Sequence, residues 1–212
     1  MIKAVLFDLW GTLVENGTYS PLKQSYEILR AETDYSSFVV QFEKIFMTKK
    51  FDSQAEGFTE ICKAFSVEPT PEIIDELIGV WNKNKLLARA FLDTVPVLTF
   101  LKSQNIKIGL LSNTPMNSGD FVLEKLQLTK YFDAIHLSCN TGLVKQDPES
   151  FINILKDLDC DPKDALMVGD SMETDIHGAE RAGVKGILLD RRGRREHHTK
   201  IRNLMEIRNF LN

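Results

Sequence analysis

The sequence predicts an α/β fold: a parallel sheet with helices on both faces, interrupted by an inserted block of helices. Three observations carry this. An apolar, β-prone run from Ile2 to Phe7 ends in Asp8 and leads into Leu9-Trp10-Gly11-Thr12-Leu13. A strand apolar on both faces suits the centre of a parallel sheet, which is covered above and below. From about Glu15 to Arg89 the apolar spacing is helical throughout, and after Pro96 helix and strand alternate. Such alternation requires a parallel sheet with right-handed crossovers.

With 212 residues, 43% hydrophobic and 26% charged, the chain is long enough for a core and an insert. Its net charge of −4 argues against a general nucleic-acid or anionic-membrane binder, which needs a basic face. Small molecules are the expected partners. No apolar run approaches the roughly 18 residues of a membrane span, and no basic-then-apolar leader opens the chain, so a cytoplasmic location is expected. Cys62, Cys139 and Cys160 are odd in number and lack paired ligand spacing. They read as small core residues rather than a disulfide framework or a zinc site.

In the helical block, Leu22, Tyr26 and Leu29 keep helical spacing, as do Phe38, Phe42 and Phe46, then Phe58, Ile61, Cys62 and Phe65, then Ile73, Ile74, Leu77, Ile78 and Trp81. Breaks are expected at Gly17 to Pro21, around Thr33-Asp34, around Phe51 to Gly57, and at Pro69-Thr70-Pro71. Short connections of this kind suit an antiparallel bundle whose phenylalanines form the core. Val97, Leu98, Phe100 and Leu101 then mark a helix, and Ile106 to Leu111 a second buried strand ending in Ser112-Asn113-Thr114. A helix through Phe121, Leu123, Leu126 and Leu128 precedes a short strand, Ala134 to Leu137. Lys145 is followed by Asp147-Pro148-Glu149, an acidic cap with proline in the first turn. Ala165 to Val168 is the next strand and ends in Gly169-Asp170-Ser171-Met172-Glu173-Thr174-Asp175. The helix after it stops near Gly183, suited to a left-handed cap, and Val184 to Leu189 is the last clear strand.

The chemistry lies at the strand ends. A parallel sheet gathers its carboxyl ends along one edge, so Asp8, Ser112, Lys145, Asp170 and Asp175 converge. Three crowded carboxylates raise one another's pKa unless a cation neutralises them, and oxygen-only ligation points to a hard ion such as Mg²⁺. With an ammonium, a hydroxyl and backbone N–H groups after Asp8, the site suits a phosphoryl group and its transition state, with Asp8 as nucleophile.

At these residues the chain resembles the haloacid dehalogenase superfamily, whose four motifs it carries in order. Asp8-Leu9-Trp10-Gly11-Thr12-Leu13 resembles the nucleophile loop, Leu111-Ser112-Asn113 the second motif, Lys145 with Asp147-Pro148 the third, and Gly169-Asp170-Ser171 with Asp175 the fourth. The resemblance implies a Rossmann-like, doubly wound core over residues 1–14 and 92–212 and an inserted all-helical cap of the C1 type over 15–91. It implies Asp8, Ser112 and Lys145 as catalytic residues and substrate contacts at Gly11, Thr12 and Asn113. Mg²⁺ would be held by Asp8, Asp170 and the carbonyl of Trp10, with Asp175 supporting Lys145 or a metal-bound water. The expected reaction is hydrolysis of a small phosphorylated metabolite through an aspartyl-phosphate.

Two positions depart from the phosphatase pattern. Trp10 stands where those enzymes carry a second aspartate, so the usual proton donor to the leaving group is missing. Gln146 stands where proline commonly follows the lysine, a change expected to alter only loop geometry. An aromatic at position 10 is the dehalogenase habit, and a metal-independent 2-haloacid dehalogenase using Asp8 is the alternative. Asp170 weighs against it, because an extra acid is costly without a cation. A catalytically idle protein that binds a phosphorylated ligand is a further alternative, opposed by the intact Asp8. Arg191, Arg192, Arg194 and Arg195 with His197-His198 read as a solvated face in preference to an anion-steering patch. His136 and His177 read as structural, and no residue of the helical block identifies itself as a specificity determinant.

Overall fold

A computed structural model of the protein describes residues 1–16 and 20–211. The first strand, β1 (Ala4–Phe7), enters the centre of the sheet, and four helices follow before a second strand is reached. These are α1 (Pro21–Leu29), α2 (Tyr35–Phe46), α3 (Gln54–Ala64) and α4 (Pro71–Leu87). Thereafter come α5 (Thr94–Ser103), β2 (Lys107–Ser112), α6 (Gly119–Lys125), β3 (Ala134–Leu137), α7 (Ser138–Thr141) and α8 (Pro148–Asp157). The chain ends with β4 (Ala165–Gly169), one π-helical turn (Met172–Ile176) running into α9 (His177–Arg181), β5 (Lys185–Leu189), a two-residue edge strand β6 (Lys200–Ile201) and a 3₁₀ segment (Leu204–Phe210).

The strands lie in the order β3-β2-β1-β4-β5-β6, every pair parallel. This is the Rossmann-like doubly wound arrangement. The chain winds one way from β1 through β2 to β3 and the other way from β4 outward, so the switch lies between β1 and β4. Val5 and Phe7 face one apolar layer with Leu98, Leu101 and Val122; Ala4 and Leu6 face the other with Phe151, Ile154 and Ala179. That alternation follows from the two-residue period of a strand covered on both faces.

The four helices pack around a third apolar cluster that contains Phe38, Phe42, Phe46, Phe58, Leu77 and Trp81. Their ends fall where side chains can satisfy free backbone groups. Ser20 accepts from Lys23 N–H and Asp34 from Ser37 N–H, while Ser53 accepts from Glu56 N–H. Phe42 stacks on Trp81 with centroids 5.6 Å apart, and the indole N–H donates to Ser25 Oγ at 3.0 Å. Two antiparallel chain segments tie this block to the sheet: Glu15 N–H donates to Arg89 C=O, and Phe91 N–H to Leu13 C=O. In the first of the expected breaks, Gly17, Thr18 and Tyr19 lie outside the described residues.

The break expected to extend to Gly57 ends earlier. Gly57 lies inside α3, and its role is packing: a Cβ there would stand 2.7 Å from Phe46 Cε2 and 3.0 Å from Phe51 Cδ2. The 184–189 strand is not the last, since β6 extends the sheet by two residues. Among the described residues, no helix is long and apolar enough to cross a membrane.

Gly57→Ala tests this close approach. In an open helix the change stabilises by up to ~1 kcal/mol. Here Phe46 is wedged among Phe42, Phe51, Phe58 and Trp81, so a net loss of roughly 1–3 kcal/mol from overpacking is expected. Denaturant unfolding checks it, and a midpoint at or above that of the unmutated protein would mean that the ring yields.

Candidate active site

Three strand ends meet at the switch. Asp8 follows β1, Ser112 ends β2, and Asp170 follows β4. Lys145 arrives from the loop before α8 and Asp175 from the π-helical turn. π turns recur at functional sites because the extra residue displaces a side chain from the ordinary helical register. Ser171 Oγ accepts from Thr174 N–H at the start of that turn. Gly169 makes room for the result, since a Cβ there would lie 2.1 Å from the Asp175 carboxylate. Gly11, at φ +80°, serves the nucleophile loop likewise: a side chain would meet Asp170 Oδ2 at 2.5 Å.

Lys145 is buried, and its ammonium donates to Asp8 Oδ1 at 2.6 Å and Asp175 Oδ1 at 2.5 Å. Asp175 Oδ2 accepts from Ser171 N–H at 2.9 Å, so both its oxygens are engaged. Burial alone would lower the Lys145 pKa, but Asp175 and Asp8 outweigh it and hold the ammonium above its ordinary range. Burial pushes Asp8 up to about 7 against the pull of Lys145, with Asp175 and Asp170 adding to the rise. Asp170 is pushed up to about 6 by burial and by Asp175, with Arg195 and Lys145 opposing. The lone ammonium therefore leaves the cluster short of positive charge. Carboxylate oxygens of Asp8, Asp170 and Asp175 lie within 4.8 Å of one another, an oxygen-only set that fits a hard cation such as Mg²⁺.

The expected residues do not all reach the same surface. Asp8, Trp10, Asn113, Lys145, Asp170 and Asp175 line one cavity of about 610 Å³ between the sheet edge and the helical block. Ser112 is buried beside it, and among the described residues its Oγ has no hydrogen-bond partner. Gly11 spends its N–H on Val14 C=O at 2.7 Å. Thr12 is fully buried, and its carbonyl accepts from Arg191. Neither Gly11 nor Thr12 is among the cavity-lining residues. The Leu13 and Val14 N–H groups turn back onto the Leu9 carbonyl rather than that of Trp10. The Trp10 indole donates to Thr114 Oγ1 at 3.3 Å.

Several residues act beyond the sequence reading. Gln146 does more than shape its loop: its Nε2 donates to Glu43 Oε2 at 2.9 Å, and its Oε1 accepts from Asn113 Nδ2 at 3.1 Å. Asn113 Nδ2 also donates to Glu43 Oε2 at 2.8 Å, while its Oδ1 accepts from Lys145 N–H at 2.9 Å. Burial raises the Glu43 carboxyl above its ordinary range, opposed by Gln146, Asn113 and Lys145. The signal in the sequence was one acid in the α2 stripe Val39, Glu43, Met47, all of which line the cavity. The basic stretch is not uniformly solvated. Arg191 makes a two-pronged pair with Asp93 at 2.9 and 3.0 Å and lies 3.8 Å over the Phe91 ring. Arg192, Arg194 and Arg195 are exposed, but Arg195 lines the cavity and donates to the Asp170 carbonyl. His136 pairs with Asp157 at 2.7 Å, a structural tie from β3 to α8.

Comparison with known proteins gives a consistent result. The family model described as haloacid dehalogenase-like hydrolase matches residues 2–183. The glyceraldehyde 3-phosphate phosphatase of Methanopyrus kandleri is 27% identical over 202 residues, covering 92% of this chain and 86% of that protein. The crystal structure of a HAD phosphatase from Thermococcus onnurineus superposes with a TM-score of 0.65 at 26% identity, covering 100% of this chain and 98% of that one. The 2-haloacid dehalogenase from Pseudomonas syringae pv. Tomato DC3000 gives 0.69 at 21% identity, covering 100% and 98%, a likeness of fold alone.

The raised carboxyls fix the sign of a pH effect. Asp8 and Asp170 keep protons in the folded state that they lose in the unfolded one, so without a cation their contribution falls as pH rises from about 4 through 6 and 7. Millimolar Mg²⁺ should therefore raise Tm most above pH 7, with the gain fading as pH drops below 6. Scanning fluorimetry from pH 5 to 8 checks this, and Asp170→Asn should remove the gain. An equal gain at pH 5 and pH 8 would mean that the ion binds elsewhere.

Proposed function

The chain belongs to the haloacid dehalogenase-like hydrolases, and on that premise we propose that it is a Mg²⁺-dependent phosphatase acting on a small phosphorylated molecule through a covalent intermediate on Asp8. The observation that carries this reading is the acid cluster around Lys145. A dehalogenase that works without metal has no use for Asp170, whereas a phosphoryl site does. The likeness to the phosphatases of Methanopyrus kandleri and Thermococcus onnurineus supports it.

In this account Asp8 attacks phosphorus, and the ester oxygen leaves with the bonding pair; water then cleaves the acyl-phosphate and restores the carboxylate. Lys145, steadied by Asp175, orients Asp8 and offsets charge on the phosphoryl oxygens. The Ser112 hydroxyl, buried beside the cavity without a partner among the described residues, would turn to the same oxygens once they are seated at the strand ends. Mg²⁺, held by Asp8, Asp170 and the Trp10 carbonyl, would supply the remaining positive charge. Residues 15–91 act as a cap over the core formed by 1–14 and 92–212, and they keep bulk water from the cavity. Trp10, tied to Thr114, offers no carboxylic acid, so a departing alkoxide lacks the proton that phosphatases of this family give it. The 2-haloacid dehalogenase reading rests on that same aromatic residue.

Hydrolysis of p-nitrophenyl phosphate should require Mg²⁺ and stop in EDTA, with no chloride released from 2-chloropropionate. Metal-independent chloride release would establish dehalogenation instead. Asp8→Asn should abolish turnover while the circular dichroism spectrum stays the same; retained turnover would exclude the covalent route. A positioned acid contributes about 10²- to 10⁴-fold, so under single-turnover conditions the rate of phosphoryl transfer to Asp8 should fall steeply as leaving-group pKa rises, and Trp10→Asp should flatten that dependence. A flat dependence in the unmutated protein would mean that another residue supplies the proton.

A further inference from the structure

The cavity is unevenly charged. Its core side carries Asp8, Asp170, Glu173 and Asp175 against two cations, Lys145 and Arg195. Lys145 lies between Asp8 and Asp175, and Arg195 donates one N–H to the Asp170 carbonyl, so both cations stand at the phosphoryl end of the cavity. On the helical side, among the described residues, Glu43 is the one charged group, set between Val39, Val40 and Met47. It is 7% exposed and held in place by two amides. The orientation of Asn113 is fixed, because its Oδ1 accepts from Lys145 N–H, so its Nδ2 must face Glu43 Oε2. The two N–H groups aimed at this oxygen favour the carboxylate and oppose the burial that raises its pKa. Once a phosphoryl group occupies the strand ends, the alcohol it esterifies lies on the helical side, beside Glu43.

Resting on the phosphatase reading, we propose that Glu43 makes this site select phosphate monoesters whose alcohol is uncharged or bears an ammonium group, and reject those whose alcohol carries a second anion. A carboxylate on the alcohol would be desolvated against Glu43 with no cation on the helical side, among the described residues, to receive it, and like charges brought together at close quarters weaken binding by about tenfold or more. An ammonium in the same position gains the acid as a partner. An uncharged alcohol packs on Val39, Val40 and Met47.

Three two-carbon esters isolate the charge: O-phosphoethanolamine, ethyl phosphate and phosphoglycolate. Their inhibition constants against Mg²⁺-dependent p-nitrophenyl phosphate hydrolysis rank the three in a single assay. The unmutated enzyme should bind the first two at least about tenfold more tightly than phosphoglycolate. Glu43→Gln should close most of that gap, by tightening phosphoglycolate and weakening O-phosphoethanolamine. Tightest binding of phosphoglycolate to the unmutated enzyme, or equal shifts of all three constants in Glu43→Gln, overturns the proposal. Should the variant fail to fold, the ranking on the unmutated enzyme decides alone. Absence of p-nitrophenyl phosphate hydrolysis would overturn the phosphatase reading and this selection with it; hydrolysis with the wrong ranking overturns the selection only.

Discussion

A buried ammonium between two carboxylates is the interaction on which the rest depends. Lys145 is taken out of water and held at 2.6 Å from Asp8 and 2.5 Å from Asp175, an arrangement that is costly to assemble and costlier to break. Removing one partner of a buried pair typically loses about 3–5 kcal/mol, because the other charge is left uncompensated. Much of the local structure follows from accommodating this triad. Gly169 clears space for Asp175, the π turn carries it inward, and Asn113 fixes the Lys145 backbone. Fold and site are in this sense one problem: the sheet brings the loops together, and the triad sets how closely they may approach.

The triad is not neutral, and the imbalance explains its surroundings. Asp8 and Asp170 are both raised, to about 7 and about 6, the behaviour of buried carboxyls whose desolvation the nearby positive charge does not offset. A hard cation and a phosphoryl group together would complete such a site, the ion offsetting the acids and the dianion offsetting the ion, the ammonium and Arg195. Farther out, Arg191 clamps the nucleophile loop. It holds the Thr12 carbonyl, Asp93 and the Phe91 ring at once, linking the loop after Asp8 to the segment that returns from the helical block.

How much of this was legible in the sequence depends on the range of the interaction. The sheet and the helical block could be read because apolar periodicity is local and strong, and the convergence of Asp8, Ser112, Lys145, Asp170 and Asp175 follows from parallel topology alone. Gly57 was misplaced as a break, since nothing adjacent to it in sequence announces that Phe46 packs on it. Nothing local marks Glu43, because its partners, Asn113 and Gln146, lie 70 and 103 residues away, and the same separation hides the part that Gln146 plays. Arg191 and Arg195 were grouped with a solvated run, although only tertiary contacts distinguish them from Arg192 and Arg194. At Gly11 and Thr12 the sequence shows only a loop position; that the Gly11 N–H closes on Val14 and that Thr12 is buried depend on how the turn folds.

The central claim is that Asp8 carries the phosphoryl group in transit. With no carboxylic acid at position 10 to activate water, the second half of the reaction should be the slower one, and the acyl-phosphate should accumulate. Rapid acid quench of the enzyme with Mg²⁺ and p-nitrophenyl phosphate, followed by mass spectrometry of the peptide that contains Asp8, measures this directly. The account predicts a burst of nitrophenol and a phosphoryl adduct on Asp8. Phosphate released in step with nitrophenol from the first turnover, with no adduct on that peptide, would contradict it.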